Sequence, residues 1–323
     1  TVDGRKIPAV IQATKQGWLY TFNRLTGEPV WPIVERPVPP SIVPGEVLSP
    51  TQPHVTWPEP YSMQGISEDD LVDFTPELKA QALEAMEDYV MGGLFNPPIH
   101  ADNPLGKYAA MNCPGGAGGV NITSPPVADP TTNTMYVSSH IACFALRLIP
   151  GEEADLLFPN STGATTALYA NGVRGATARP PRHPAGIPIW KPPYSTITAY
   201  DMDTGEKAFE IPTGETPQRY ADVFERVGAD MDEVGNTGTG GLVPMVVTEN
   251  MLIYADQAAD GTPMLWAIDK DSGEIAGKIE APARSSYGMS SWVHEGHQYL
   301  MLQTGSKLTA MALPGAAAEE AAH

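Results

Sequence analysis

Cysteine is scarce: Cys113 and Cys143 are the 2 cysteines of a 323-residue chain. They lack the close spacing of a metal site, so they are either one disulfide in an oxidising compartment or two buried thiols. The 7 histidines are scattered, with no HxH or HExxH arrangement, which argues against a protein-built zinc site. Positive charge is also short. With 19 Lys and Arg against 38 Asp and Glu, the net charge of −19 repels phosphate backbones and argues against nucleic acid as a partner. No uncharged apolar run approaches the roughly 18 residues that a membrane-spanning helix needs. A secretory signal peptide is missing too, and the first residue is Thr1. The chain therefore reads as processed, or cut from something longer.

What is abundant is turn chemistry, with 33 Pro and 31 Gly beside an apolar content of 42%. That much apolar residue supports a core, and the turns must separate many short elements. One turn formula recurs. The segment from Leu19 to Glu28 (LYTFNRLTGE) returns at 197–206 (ITAYDMDTGE) and at 265–274 (LWAIDKDSGE), and a truncated copy lies at 308–314. Each copy is an alternating strand and an Asp/Asn-x-x-Thr/Ser-Gly turn, followed by a second strand such as 207–211 or 275–279. Side-chain oxygens can satisfy turn amides, while Gly takes the left-handed position. Before each copy another strand pair is expected, as in 241–247 with 251–256 and 290–294 with 298–304. Repeats of about 40–45 residues with this content predict blades of a β-propeller, whose sheets bury their faces against neighbouring blades. The fold class expected is all-β, with about four blades across residues 1–323.

Two stretches interrupt the repeat. Residues 33–112 are proline-rich and read as an irregular insertion. Inside it a helix is expected over about 76–91, with Thr75 as N-cap, Pro76 at the first position and an apolar stripe of Leu78, Ala82, Met86 and Tyr89. Such a stripe faces a core more often than a cofactor. Residues 151–193 read as a surface or rim loop, with Arg174, Arg179, Arg182 and His183 among Pro and Gly. Residues 315–323 read as a disordered tail.

Two features carry possible chemistry. Lys15 sits at the tip of the first hairpin, in Thr14-Lys15-Gln16-Gly17 between strands at 9–11 and 18–22. One ammonium there can point at a ligand, although an isolated turn lysine is usually solvated. The run Gly115-Gly116-Ala117-Gly118-Gly119 leads into Val120-Asn121. Glycine lets backbone approach a flat ligand, and Asn121 offers a donor and an acceptor. The plain alternative is a tight turn. No helix follows the run, so it is not a dinucleotide-binding fingerprint.

Taken in order, Thr14-Lys15-Gln16-Gly17, Ser49-Pro50-Thr51-Gln52-Pro53, Phe95-Asn96-Pro97-Pro98, residues 114–121 and Asp129-Pro130 resemble the quinoprotein dehydrogenases that use pyrroloquinoline quinone (PQQ). The likeness is greatest to the membrane glucose and quinate dehydrogenase branch, and it covers most of the chain. It implies an eight-bladed propeller with the quinone in its central channel, of which this chain is the C-terminal half. It implies Lys15 beside the quinone oxygens as the catalytic cation and Asn121 as a cofactor contact, with Gly119, Gly240 and Gly241 also on the cofactor side. Two positions depart from the family pattern: Ile122 replaces an aromatic residue, and Gly116 replaces an asparagine.

The resemblance further implies oxidation of an alcohol, sugar or cyclitol by hydride transfer to the quinone, with electrons passed to a quinone pool or a cytochrome. The aspartate base and the ligands of Ca2+ belong to family sequence upstream of this chain, so no metal ligand is expected within it. A periplasmic location follows, with possible attachment to the inner membrane through that upstream sequence. The missing N-terminal half of the propeller, or a second chain, is the implied partner. A reading of another class is a non-catalytic propeller-repeat scaffold, such as an outer-membrane assembly lipoprotein, which has no use for Lys15 beside a glycine run.

Overall fold

A computed structural model describes residues 1–116, 118–120, 124–150, 180–285 and 287–312, and the backbone of 169–170. Asn121, Ile122, Arg174, Arg179, most of the 151–193 excursion and the tail at 315–323 lie outside the described residues.

The repeated turn has the same hydrogen bonds in all three copies, because its side chains act within five residues of one another. Asn23 N–H donates to the Glu28 carbonyl (2.8 Å), Asp201 to Glu206 (3.0 Å) and Asp269 to Glu274 (2.9 Å). The Asn23, Asp201 and Asp269 side chains accept from the backbone two residues on, and Thr26, Thr204 and Ser272 accept from the following Glu amide. Gly27, Gly205 and Gly273 supply φ of +78°, +78° and +77°, a region expensive for any residue with a Cβ.

Four antiparallel sheets follow in chain order. The first is Ala9–Ala13 with Leu19–Asn23. The second runs Val127–Asp129, Thr134–His140, Ser195–Asp201 and Lys207–Pro212. The third runs Met245–Val247, Met251–Gln257, Pro263–Asp269 and Ile275–Glu280. The fourth has three strands, Ser290–His294, His297–Thr304 and Lys307–Ala312. The last two copies of the repeat thus occupy the same place, the third and fourth strands of their sheets. The first copy differs from expectation. After its turn only an isolated bridge, Phe22 to Pro29, replaces a second strand, since Pro29 and Pro32 have no N–H to donate.

Period-2 alternation sends successive side chains to opposite faces, and that stacks the sheets. Met135, Val137 and Tyr200 of the second pack with Ala13 and Leu19 of the first. Tyr136, Ile197 and Ala199 point the other way, onto Met245, Leu252, Tyr254 and Trp266 of the third. Ala255 and Leu265 of the third meet Leu300 and Leu302 of the fourth. Turn glycines receive aromatic rings from earlier in the chain. The Trp57 indole donates to the Thr204 carbonyl (2.7 Å), and a Cβ on Gly205 would stand 2.1 Å from that indole nitrogen. A Cβ on Gly273 would stand 2.8 Å from the Phe209 ring.

The insertion at 33–112 is more regular than its prolines suggest. Ile33–Pro37 pairs with Thr51–Val55. The helix is Pro76–Met86, with the Thr75 hydroxyl accepting from Leu78 N–H and Leu78, Ala82 and Met86 buried. It stops short of the expected residue 91, because Tyr89 and Val90 pair with Ala109 and Ala110 in a sheet. The helix Gln218–Arg226, which hydrophobic periodicity did not bring out, contributes Val223 and Phe224 to the same core. Cys113 and Cys143 form a buried disulfide, which settles the choice left open by their spacing. His183 is not on a surface loop. It is 2% exposed, its Nδ1 accepts from Ala185 N–H (3.1 Å) and its Nε2 therefore donates to the Leu78 carbonyl (3.0 Å).

Candidate functional site

The Lys15 turn is closed by Gly17 N–H to the Thr14 carbonyl (3.0 Å) and Thr14 N–H to the Trp18 carbonyl (3.1 Å). Segment 61–64 braces it from behind. Thr14 N–H donates to the Tyr61 hydroxyl (2.6 Å), which donates in turn to the Thr14 carbonyl. Tyr61 N–H donates to the Gly17 carbonyl (2.9 Å), and the Gln64 amide to the Gln16 carbonyl (2.7 Å). With the backbone held this way, the Lys15 side chain stays exposed, and its ammonium donates to the Gly116 carbonyl at 3.0 Å.

The glycine run is therefore the immediate neighbour of Lys15. Its glycines also make close contacts inside the chain. A Cβ on Gly115 would lie 1.7 Å from the Ala142 carbonyl oxygen, and one on Gly118 1.8 Å from that of Pro114. Gly119, at φ +61°, would place a Cβ 2.5 Å from the Lys15 carbonyl oxygen. Gly119 also exchanges two backbone hydrogen bonds with His140 (2.9 and 3.1 Å).

His140 links this cluster to the third sheet's approach. Its Nδ1 lies 3.2 Å from the Gly240 carbonyl, which can only accept, so Nδ1 carries the proton. Gly240 N–H donates to Ser195 Oγ (2.9 Å). The structure thus joins Lys15, Gly119 and Gly240 in one chain of contacts through His140, a residue that sequence reasoning missed. A lone histidine carries no local signal. Gly241 stands at the next position, 3.5 Å (from an added Cβ) from the Arg284 guanidinium. Residues 241–244 are not strand, and the third sheet begins at Met245.

Beneath Gly240 and Gly241 lies Asp256, buried and accepting from Thr239 Oγ1 at 2.9 and 2.8 Å. Burial pushes its carboxyl up to about 6, against the hydrogen bonds of Thr239 and Thr213 and the charge of Arg284. Asp129 goes the other way. The buried Lys270 ammonium and the Thr131 side chain hold it well below the usual carboxylate range. This ion pair ties the first hairpin of the second sheet to a turn of the third. Among the described residues, no group of three or more His, Cys, Asp or Glu side chains is placed to hold a metal ion. No helix among them is long and apolar enough to cross a membrane.

Two four-stranded antiparallel sheets packed face on face, with a two-stranded sheet before them and a three-stranded one after, make a β-propeller type of domain. The family model described as "PQQ: Glucose/ethanol/alcohol dehydrogenase, beta-propeller domain" matches residues 1–300. The chain belongs to this family of PQQ-dependent dehydrogenases. It is 29% identical to the glycerol dehydrogenase large subunit of Gluconobacter thailandicus over 94% of its own length and 41% of that protein. It is 27% identical to a quinate/shikimate dehydrogenase (quinone) of Acinetobacter baylyi over 94% of its length and 37% of that protein. The chain therefore spans about two fifths of the length of these curated relatives. Among solved structures, a europium-containing methanol dehydrogenase aligns over 94% of this chain and 38% of its own, at 16% identity and a TM-score of 0.48.

Proposed function

We propose that this chain supplies one side of a PQQ cradle in a dehydrogenase that oxidises an alcohol, sugar or cyclitol. The observation that supports it best is the placement of Lys15, an exposed cation whose ammonium reaches 3.0 Å to the glycine run that abuts its own turn. A planar, anionic ligand fits a cation set beside glycine backbone. PQQ, when bound, accepts hydride from the substrate carbon. In this reading Lys15 orients the ligand and offsets the negative charge that reduction puts on its oxygens, an effect strongest where water is excluded. His140 and Gly119 hold the turn that carries it, and Gly240 and Gly241 line the approach from the third sheet. To Asn121, which lies outside the described residues, we assign a polar contact with the cofactor.

We assign the proton-accepting carboxylate and the Ca2+ ligands to residues outside those described. Large apolar side chains stay exposed on the first, third and fourth sheets, among them Val10, Ile279, Val293 and Leu308. They suit burial against the other half of a propeller or a second chain. The complete enzyme is placed in the periplasm, with electrons leaving to a quinone or a cytochrome.

The test is reconstitution of the full-length protein with PQQ and Ca2+, followed by cofactor absorbance and dye-linked oxidation of glycerol, glucose and quinate. Lys15→Ala is expected to lower turnover by about a hundredfold or more and to weaken PQQ retention. Unchanged turnover in the variant removes Lys15 from the mechanism. Absence of cofactor absorbance in the wild type favours a non-catalytic scaffold.

A further inference from the structure

The loops that lead into the third and fourth sheets, ahead of Met245–Val247 and Ser290–His294, meet beside the start of the helix Gln218–Arg226. A cavity of about 380 Å3 lies there, with Arg219, Thr239, Gly240, Gly241, Asp260 and Arg284 in its walls. Its volume falls within the range of small-molecule sites, roughly 300–1,000 Å3. In a chain of net charge −19, two guanidiniums at one cavity are a local excess of positive charge.

Neither guanidinium belongs to an ion pair among the described residues. Arg219 is placed by Tyr220: it lies over that ring, 4.5 Å from the centroid, and one Nη donates to the hydroxyl (3.2 Å). A guanidinium has five N–H donors, so this bond leaves most of them for another acceptor. Arg284 is exposed. The buried Asp256 carboxyl feels its charge, but Thr239 Oγ1 donates to that group. Asp260, the carboxylate in the cavity wall, accepts from Thr262 N–H (2.8 Å) in its own turn. No side chain caps the start of the helix, and its positive end adds to the same field.

Gly241 points the same way. Its φ is not in the left-handed region, and a Cβ there would stand 3.5 Å from the Arg284 guanidinium and 3.6 Å from Thr239 Oγ1, both ordinary contacts. Neither conformation nor crowding inside the chain asks for glycine at this position, in contrast to Gly119. What the missing side chain leaves is open backbone beside an unpaired cation, room for an acceptor atom to reach it.

We propose that this cavity binds a small dianion carrying carboxylate or phosphate oxygens, with Arg284 and Arg219 as its two cationic contacts. The planar fork of a guanidinium meets either kind of oxyanion two oxygens at a time. The site adjoins the proposed cofactor cradle, because Gly240 and Gly241 border both. It goes beyond that reading, since it stands on the two arginines and requires neither Lys15 nor PQQ.

The experiment is calorimetric titration of cofactor-free full-length protein with inorganic phosphate and, separately, with succinate, at neutral pH and at an ionic strength held constant with chloride. Saturable binding of at least one is expected, and the two arms tell a phosphate site from a carboxylate site. Arg284→Gln and Arg219→Gln change exposed side chains and should each weaken binding by about tenfold, the worth of a charged hydrogen bond, with melting temperatures unchanged. Lys15→Ala should leave the affinity as in wild type. No saturable binding of either anion overturns the proposal. So does an affinity that survives both arginine variants, or one that Lys15→Ala lowers as much as they do, which would place the anion in the cofactor cradle instead.

Discussion

Gly119 rests on the backbone of Lys15 so closely that a Cβ there would stand 2.5 Å from the Lys15 carbonyl oxygen and 2.9 Å from its Cα. The glycine run and the lysine turn are therefore a single packed object, and their two residues should respond very differently to substitution.

Gly119→Ala forces a positive φ on a residue with a Cβ and drives it into backbone that cannot yield. A loss of about 2–4 kcal/mol is expected in urea unfolding. Lys15→Ala truncates an exposed side chain and should leave stability within about 0.5 kcal/mol. Equal losses in the two variants would show that the lysine, too, is structural.

Lys270→Ala strands the buried Asp129 carboxylate without its cation. Breaking such a pair typically costs about 3–5 kcal/mol, readable as a lower urea midpoint at pH 7. In the native chain the Asp129 carboxyl is held low, so its stabilisation is present above its unfolded value and is lost on acidification below it. The variant should accordingly lose less stability than wild type as the pH falls below about 4.

Asp256 titrates with the opposite sign. Burial raises it from 3.8 to about 6, so its contribution is full below pH 4 and disappears as the pH rises through 6. A shift of that size corresponds to about 3 kcal/mol. Asp256→Asn keeps an acceptor for Thr239 but does not ionise. Its stability relative to wild type should therefore rise by about that amount between pH 4 and pH 7, measured by unfolding at each pH.

The disulfide joins Cys113 and Cys143, next to the Asn112–Phe144 pair of neighbouring strands, at a sequence separation of 30 residues. Replacing both Cys113 and Cys143 by Ser should cost about 2–4 kcal/mol through the freer unfolded chain. Calorimetry of the double variant against the oxidised wild type measures it.

What the sequence made legible is local. Asn23, Asp201 and Asp269 declare their turns because every group they bond lies within five residues, and a reader needs no third dimension to see it. Thr75 and Pro76 announce a helix start for the same reason. The helix end was not legible: Tyr89 continues the apolar stripe, but its strand partner Ala109 lies twenty positions away. His183, Tyr61 and Lys270 were hidden likewise. Their partners, Leu78, Thr14 and Asp129, are separated from them by 105, 47 and 141 positions, and nothing in the intervening text marks the pairing.

The seating of Trp57 on Gly205 and of Phe209 on Gly273 gives the stack a polarity. The second and third sheets each carry a socket on their own bend and take the plug from residues earlier in the chain, so recognition there passes in one direction along the polypeptide. A module transplanted alone would arrive with an empty socket and leave its successor's empty as well. Exchange between such proteins should succeed only for contiguous pairs that bring plug and socket together.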